Sequence, residues 1–89
     1  MSVVWKYVLE ESNDRTTLYM PSGAEILTAG SQGDSIVLWA KVNPESQLER
    51  RDFCIVGTGF TIPEGESKYI GTAKLINDRL IIHVFERVL

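Results

Sequence analysis

Arg51-Asp52-Phe53-Cys54-Ile55-Val56-Gly57-Thr58-Gly59-Phe60 opens in charge, runs through an apolar β-prone centre and closes on two glycines around a threonine. That is the make-up of a central strand emptying into a loop whose backbone angles suit glycine. Side chains alternate along a strand, so Phe53, Ile55 and Gly57 share one face and Asp52, Cys54, Val56 and Thr58 the other.

The same period of two recurs on both sides. Val3–Glu10 alternates, with Val3, Trp5, Tyr7 and Leu9 on one face, and reads as a first strand. Ser12-Asn13-Asp14 is a turn cluster, and Thr16–Met20 is a short second strand that would fold back on the first as a hairpin. Pro21-Ser22-Gly23 stops it. Ala24–Ala29 and Ser35–Val42 form a second hairpin around Gly30–Asp34. Asn43–Arg50 is polar, long enough to cross between two sheet layers, and its Asn-Pro suits one helical turn. Lys68–Ile76 is a sixth strand whose interior Gly71 signals a bulge or a close backbone approach. Asn77-Asp78 is a tight turn into a last strand, Arg79–Arg87.

No stretch sustains a 3.6-residue period. About seven short strands therefore predict a single all-β domain over residues 1–89, a small antiparallel sandwich or partly open barrel. Strands four and seven are apolar on both faces, so they are either central or covered by another subunit. The two tryptophans, three tyrosines and three phenylalanines suffice to fill a small core with some excess left exposed; Trp5 and Tyr69 could instead stack on a base or form a subunit contact.

The chain has 89 residues, 44% apolar and 24% charged, an ordinary globular balance. A core of this size is small, and association would help it. A net charge of −3 argues against general nucleic-acid binding, yet leaves room for a local cationic pocket. The single cysteine forms no internal disulfide, and no apolar run approaches the roughly 20 residues of a membrane span. The expectation is a cytoplasmic protein with no membrane partner.

Candidate chemistry is sparse. His83 lies among Ile81 and Phe85, where the plain reading is a packed, hydrogen-bonded residue and the functional one a ligand contact. Cys54 reads as a buried inert thiol; a Cys54–His83 dyad is formally available. Two Cys/His residues are too few for a structural zinc site, so no metal and no cofactor is expected. Gly57-Thr58-Gly59 could hold a phosphate or carboxylate on its amides and hydroxyl, against the plainer reading of a strand-bending bulge. Arg50 and Arg51 point to opposite faces, so at most one serves a site with Thr58; edge protection explains them more simply.

Six fragments taken in order carry a further signal: Val4-Trp5-Lys6-Tyr7, Met20–Leu27, Leu38–Pro44, Val56-Gly57-Thr58-Gly59, Tyr69-Ile70-Gly71-Thr72 and His83-Val84-Phe85-Glu86. Together they resemble the DUF7352 family of small proteins of unknown function found in phages, prophages and bacteria. The resemblance implies a phage accessory protein in a bacterial host cytoplasm, not a metabolic enzyme. The expected function is non-enzymatic counter-defence: a homo-oligomer sequestering a nucleotide-like host signal at a subunit boundary. Its ligand-binding residues would be Arg51, Thr58, Gly57, Gly59, His83 and Trp5. The alternative is an inhibitor or adaptor that blocks a host protein through an exposed sheet edge or apolar face. A small hydrolase using Cys54 or His83 comes last.

Overall fold

The computed structural model describes residues 1–10, 15–65 and 67–88. The described residues form seven strands: β1 (Val3–Leu9), β2 (Thr16–Pro21), β3 (Glu25–Gln32), β4 (Ser35–Val42), β5 (Leu48–Gly57), β6 (Ser67–Leu75) and β7 (Leu80–Arg87). They make two antiparallel sheets, β1-β4-β3 and β2-β5-β7-β6, which are not closed into a barrel. The architecture is a sandwich.

The two strands that are apolar on both faces, β4 and β7, are central in their sheets. Their inward side chains, Ile36, Leu38, Ala40 and Val42 from β4 and Ile82 and Val84 from β7, meet Phe53, Ala73, Leu75 and Met20 in one core. Burial of this aliphatic set is the main force holding the layers together. On the outer face of the three-stranded sheet, Val37 is also buried. Lys6 on β1 donates to Gln32 on β3 at 2.5 Å, and this bridge passes over β4 at the level of Val37.

The expected β1–β2 hairpin does not form. β1 pairs with β4, and β2 pairs with β5 in the opposite sheet. A strand inside a sheet must satisfy its backbone donors and acceptors along both edges, and β1 and β2 complete β4 and β5 instead of each other. The expected β3–β4 hairpin does form, with one extra residue at Leu27. The Asn43 link carries no helical turn. It is a single tight turn, Ser46 N–H to Asn43 O at 3.1 Å, before β5 starts at Leu48. It does cross between the sheets.

The longer link follows β5. Both β5 and β6 pair antiparallel with β7, so they run parallel, and the chain after Gly57 must return the length of the sheet. Arg87, whose side chain lies on the outer face, donates from Nη2 to Glu64 O at 2.5 Å and ties the return to that face. Cys54, fully buried, and Val56, nearly so, both point outward by alternation, on the face to which Arg87 ties this return.

β3 stacks on β6 at one side of the sandwich. Gly71 follows a one-residue bulge at Ile70 and turns inward against the backbone of Ala29; a Cβ there would stand 2.6 Å from Ala29 O. Both alternatives raised by its position in the sequence, bulge and close approach, are present. The aromatic residues fill less of the core than expected, and the exposed excess includes Trp5 and Tyr69. Phe53 alone is fully buried, while Trp5, Tyr19, Tyr69 and Phe60 are exposed. Aliphatic side chains pack a layer this thin, and the larger rings sit at its edges and outer faces.

Candidate functional site

The Gly57–Phe60 segment is a tight turn, not a bulge. Phe60 N–H donates to Gly57 O at 3.0 Å, and Gly59 at the third position has φ +91°, the mark of a type II turn that glycine adopts without strain. Thr58 N–H donates to Ile81 O at 3.2 Å. Two amides that an anion would need are thus spent inside the fold.

The Thr58 side chain does meet His83. Thr58 Oγ1 lies 2.9 Å from His83 Nε2, Thr72 Oγ1 lies 3.1 Å from His83 Nδ1, and the Tyr69 hydroxyl lies 2.5 Å from Thr72 Oγ1. Tyr69 also stacks edge-on against Phe85, with centroids 5.6 Å apart. The outer face of β5, β6 and β7 thus carries a chain of hydroxyls with an imidazole in the middle, both of whose nitrogens are engaged. Cys54 sits opposite Phe85, whereas His83 sits opposite Val56, so thiol and imidazole are diagonal neighbours.

The other sequence-selected residues lie elsewhere. Arg51 is on β5 seven residues before Thr58, about 23 Å away along the strand, and faces the core side. Its guanidinium donates to Glu86, including Nη2 to Oε1 at 2.9 Å, and from Nη1 to Ala24 O at 2.9 Å. The bonds to Glu86 raise the Arg51 pKa above its usual value. Arg51 is therefore a clasp between β5, β7 and the β2–β3 link, not an edge guard. Trp5 belongs to the other sheet, on edge strand β1. Gly57 and Gly59 accompany Thr58, but Arg51 and Trp5 do not join them.

A different concave feature lies where β5 enters the four-stranded sheet and β7 leaves it. It is a shallow open depression of 510 Å³, lined by Arg50, Arg51, Asp52, Lys68, Glu86, Arg87 and Val88. Four cations face two carboxylates there, in a chain whose net charge is −3. Arg51 is committed to Glu86. Arg50 Nε donates to Asp52 Oδ1 at 3.0 Å yet leaves its side chain 58% exposed. Thr17 Oγ1 donates to the same Asp52 oxygen at 2.7 Å, and these bonds, Thr17 first, hold the Asp52 carboxyl below the usual range. Among the described residues Arg87 Nε is buried without a hydrogen-bond partner and Lys68 makes no ion pair. Tyr19, opposite Arg50 on the exposed face, is 62% accessible and offers a ring beside this charge.

Sequence reasoning passed over Lys68 and Arg87 and read Arg50 as edge protection. The usable signal was positional. Cations at the starts of the fifth and sixth strands and the end of the seventh converge once the seventh lies antiparallel between them. Among the described residues no group of three or more His, Cys, Asp and Glu is placed to hold a metal ion, and no helix is long and apolar enough to cross a membrane.

The family model described as "Domain of unknown function (DUF7352)" matches residues 1–89, and the chain belongs to that family. No curated protein and no solved structure matches the chain.

Proposed function

We propose that this member of the DUF7352 family is a non-catalytic binding protein for a small phosphate-bearing, nucleotide-like anion, held at the cationic corner of the four-stranded sheet. The carrying observation is the convergence of Arg50, Lys68 and Arg87 at one depression of an acidic chain, with Tyr19 exposed beside Arg50. Arg50, Lys68 and Arg87 address phosphate oxygens, and arginine does so with paired donors. Tyr19 supplies an aromatic face on which a base stacks. The shallow corner leaves one side of such a ligand open, which suits capture and release more than turnover.

The biological setting that fits is a phage-type accessory protein in a bacterial cytoplasm, lowering the free concentration of a host signal. Family resemblance supports that setting; the corner's charge supports the ligand class.

The experiment is a thermal-shift titration of the full chain with mono- and dinucleotides and with inorganic phosphate. A ligand bound only by the folded state raises the midpoint by mass action, about 2.7 kcal/mol at a hundredfold excess over Kd. The reading requires a shift that Lys68→Glu and Arg50→Glu abolish, and that Tyr19→Ala weakens for nucleotides but not for phosphate. No shift with any of these anions at millimolar concentration, or a shift indifferent to Lys68→Glu, overturns it.

A further inference from the structure

The sandwich has four strand edges, and three are interrupted. β3 is broken by the extra residue at Leu27, β6 by the extra residue at Ile70 together with Lys68 and Lys74, and β2 ends in Pro21. Bulges, lysines and prolines are the devices that keep sheet edges from pairing with other chains. β1 has neither bulge nor proline. All seven of its residues pair with β4 in unbroken register from Val3–Val42 to Leu9–Ile36. Its one lysine, Lys6, is drawn across the sheet to Gln32 and does not guard the edge. Val4, Trp5 and Val8 are 60%, 40% and 55% exposed along this strand.

The order of side chains on β1 is itself informative. Val4-Trp5-Lys6-Tyr7-Val8 reads valine, aromatic, lysine, aromatic, valine in either direction. A two-fold axis perpendicular to the sheet and midway between two opposed copies of Lys6 lays one β1 antiparallel against another and matches each residue with its own kind. Val4 then faces the partner's Val8 on the outer side. Trp5 faces the partner's Tyr7 on the inner side. Directly opposed aromatic and β-branched pairs are the stabilising unit of a sheet. The exception, Lys6 against the partner's Lys6, is relieved because each ammonium is directed to Gln32 of its own chain.

We propose that β1 is a self-pairing edge, and that two copies join through it into one continuous six-stranded sheet in the order β3-β4-β1, then β1-β4-β3 of the second copy. Such an interface is isologous, so it closes at two subunits and leaves no further β1 edge to propagate. It also buries the exposed valines and Trp5 that a small domain leaves in water. The cationic corner lies in the other sheet, and this pairing stands or falls independently of ligand binding there.

The test is sedimentation of the full chain over a concentration series, with cross-linking to fix the register. Lys6→Cys places two thiols opposite each other across the axis and is expected to give a disulfide-linked dimer on mild oxidation; the wild type, whose single Cys54 is buried, is expected to give none. Val8→Lys sets a charge against the partner's Val4 twice and is expected to raise the dimer dissociation constant at least about tenfold while the circular dichroism spectrum persists. Val4→Lys serves as the second variant should Val8→Lys unfold. A wild-type chain that stays monomeric at about 100 µM, a dimer indifferent to both lysine variants, or a dimer in which Lys6→Cys does not cross-link overturns the proposal.

Discussion

Arg51 and Glu86 meet on the core side of the four-stranded sheet, on adjacent strands β5 and β7, with Arg51 Nη2 donating to Glu86 Oε1 at 2.9 Å and Nε donating to Oε2. Their side chains are 18% and 11% exposed, so each charge has given up most of its water. The same guanidinium caps Ala24 O, where the chain passes from β2 to β3 between sheets. One side chain thus joins three elements at the end of the sandwich.

Removing Arg51 takes away the cation that Glu86 faces, and removing Glu86 leaves Arg51 only the longer ion pair to Glu49 at 3.8 Å. Breaking a buried pair costs about 3–5 kcal/mol, and the residual exposure here places Glu86→Ala nearer 2–3 kcal/mol. Arg51→Ala also frees the Ala24 carbonyl and is expected to cost more. Arg51→Met with Glu86→Leu is expected to cost less than the two single alanine losses together, because neither charge is left alone. Urea denaturation of the wild type and these three variants measures this, and a double variant that costs as much as the two alanine losses summed would show that the pair is not coupled.

Gly71 sets the spacing of the layers where β3 crosses β6. A Cβ at this position would lie 2.6 Å from Ala29 O and 2.8 Å from Ala29 N, both backbone atoms that no rotamer change can move. Gly71→Ala is expected to destabilise the fold by about 3 kcal/mol or more, at the upper end of overpacking effects. Gly23→Ala is the contrast: no atom lies within 4 Å, and only φ +81° opposes the methyl. Its expected cost is about 1–2 kcal/mol. Equal losses in the two variants would refute the close-approach account of Gly71.

Much of this was legible in the sequence. Period-two alternation located all seven strands to within a few residues, and two-sided apolarity marked β4 and β7, which lie at the centre of their sheets. Partner choice was not legible for β1 and β2, because pairing followed which central strand still needed a neighbour, not which strand came next. The position of Arg51 was half legible. Its parity with Phe53 and Ile55 puts it on the core face, but no local pattern announces that Glu86, thirty-five residues on, will be there to receive it. The cationic corner depended on strand order, which alternation does not encode.

The turn after β6 holds removable strain. Ile76, Asn77 and Asp78 have φ of 54°, 54° and 66°, and for a β-branched residue that conformation is costly. Ile76 is 51% exposed, so little burial is at stake. Ile76→Asn is expected to stabilise the chain by about 1 kcal/mol, visible as a rise of roughly 4–8 °C in the melting midpoint. The Ile76 amide also donates to Asp34 Oδ1 at 3.1 Å, linking the hairpin turn of one sheet to that of the other. Asp34→Ala is expected to cost about 1 kcal/mol. A melting point unchanged by Ile76→Asn would mean that the turn carries no such strain.

Asp52 gives the fold an acid-sensitive limb. Thr17 and then Arg50 hydrogen-bond its carboxylate and favour the charged form, so it titrates below the usual range in the folded chain. In the unfolded chain it titrates near the ordinary value of about 3.9. The unfolded state therefore takes up a proton first as the medium is acidified. The stabilisation is fully present above about pH 4 and is lost as pH falls through the depressed folded value. Asp52→Asn keeps an acceptor for Thr17 but cannot titrate. Its melting midpoint is expected to lie below that of the wild type at neutral pH, and the difference is expected to shrink on acidification. Thermal melts between about pH 2 and 6 measure it. A gap of constant size across that range would remove Asp52 as the titrating group.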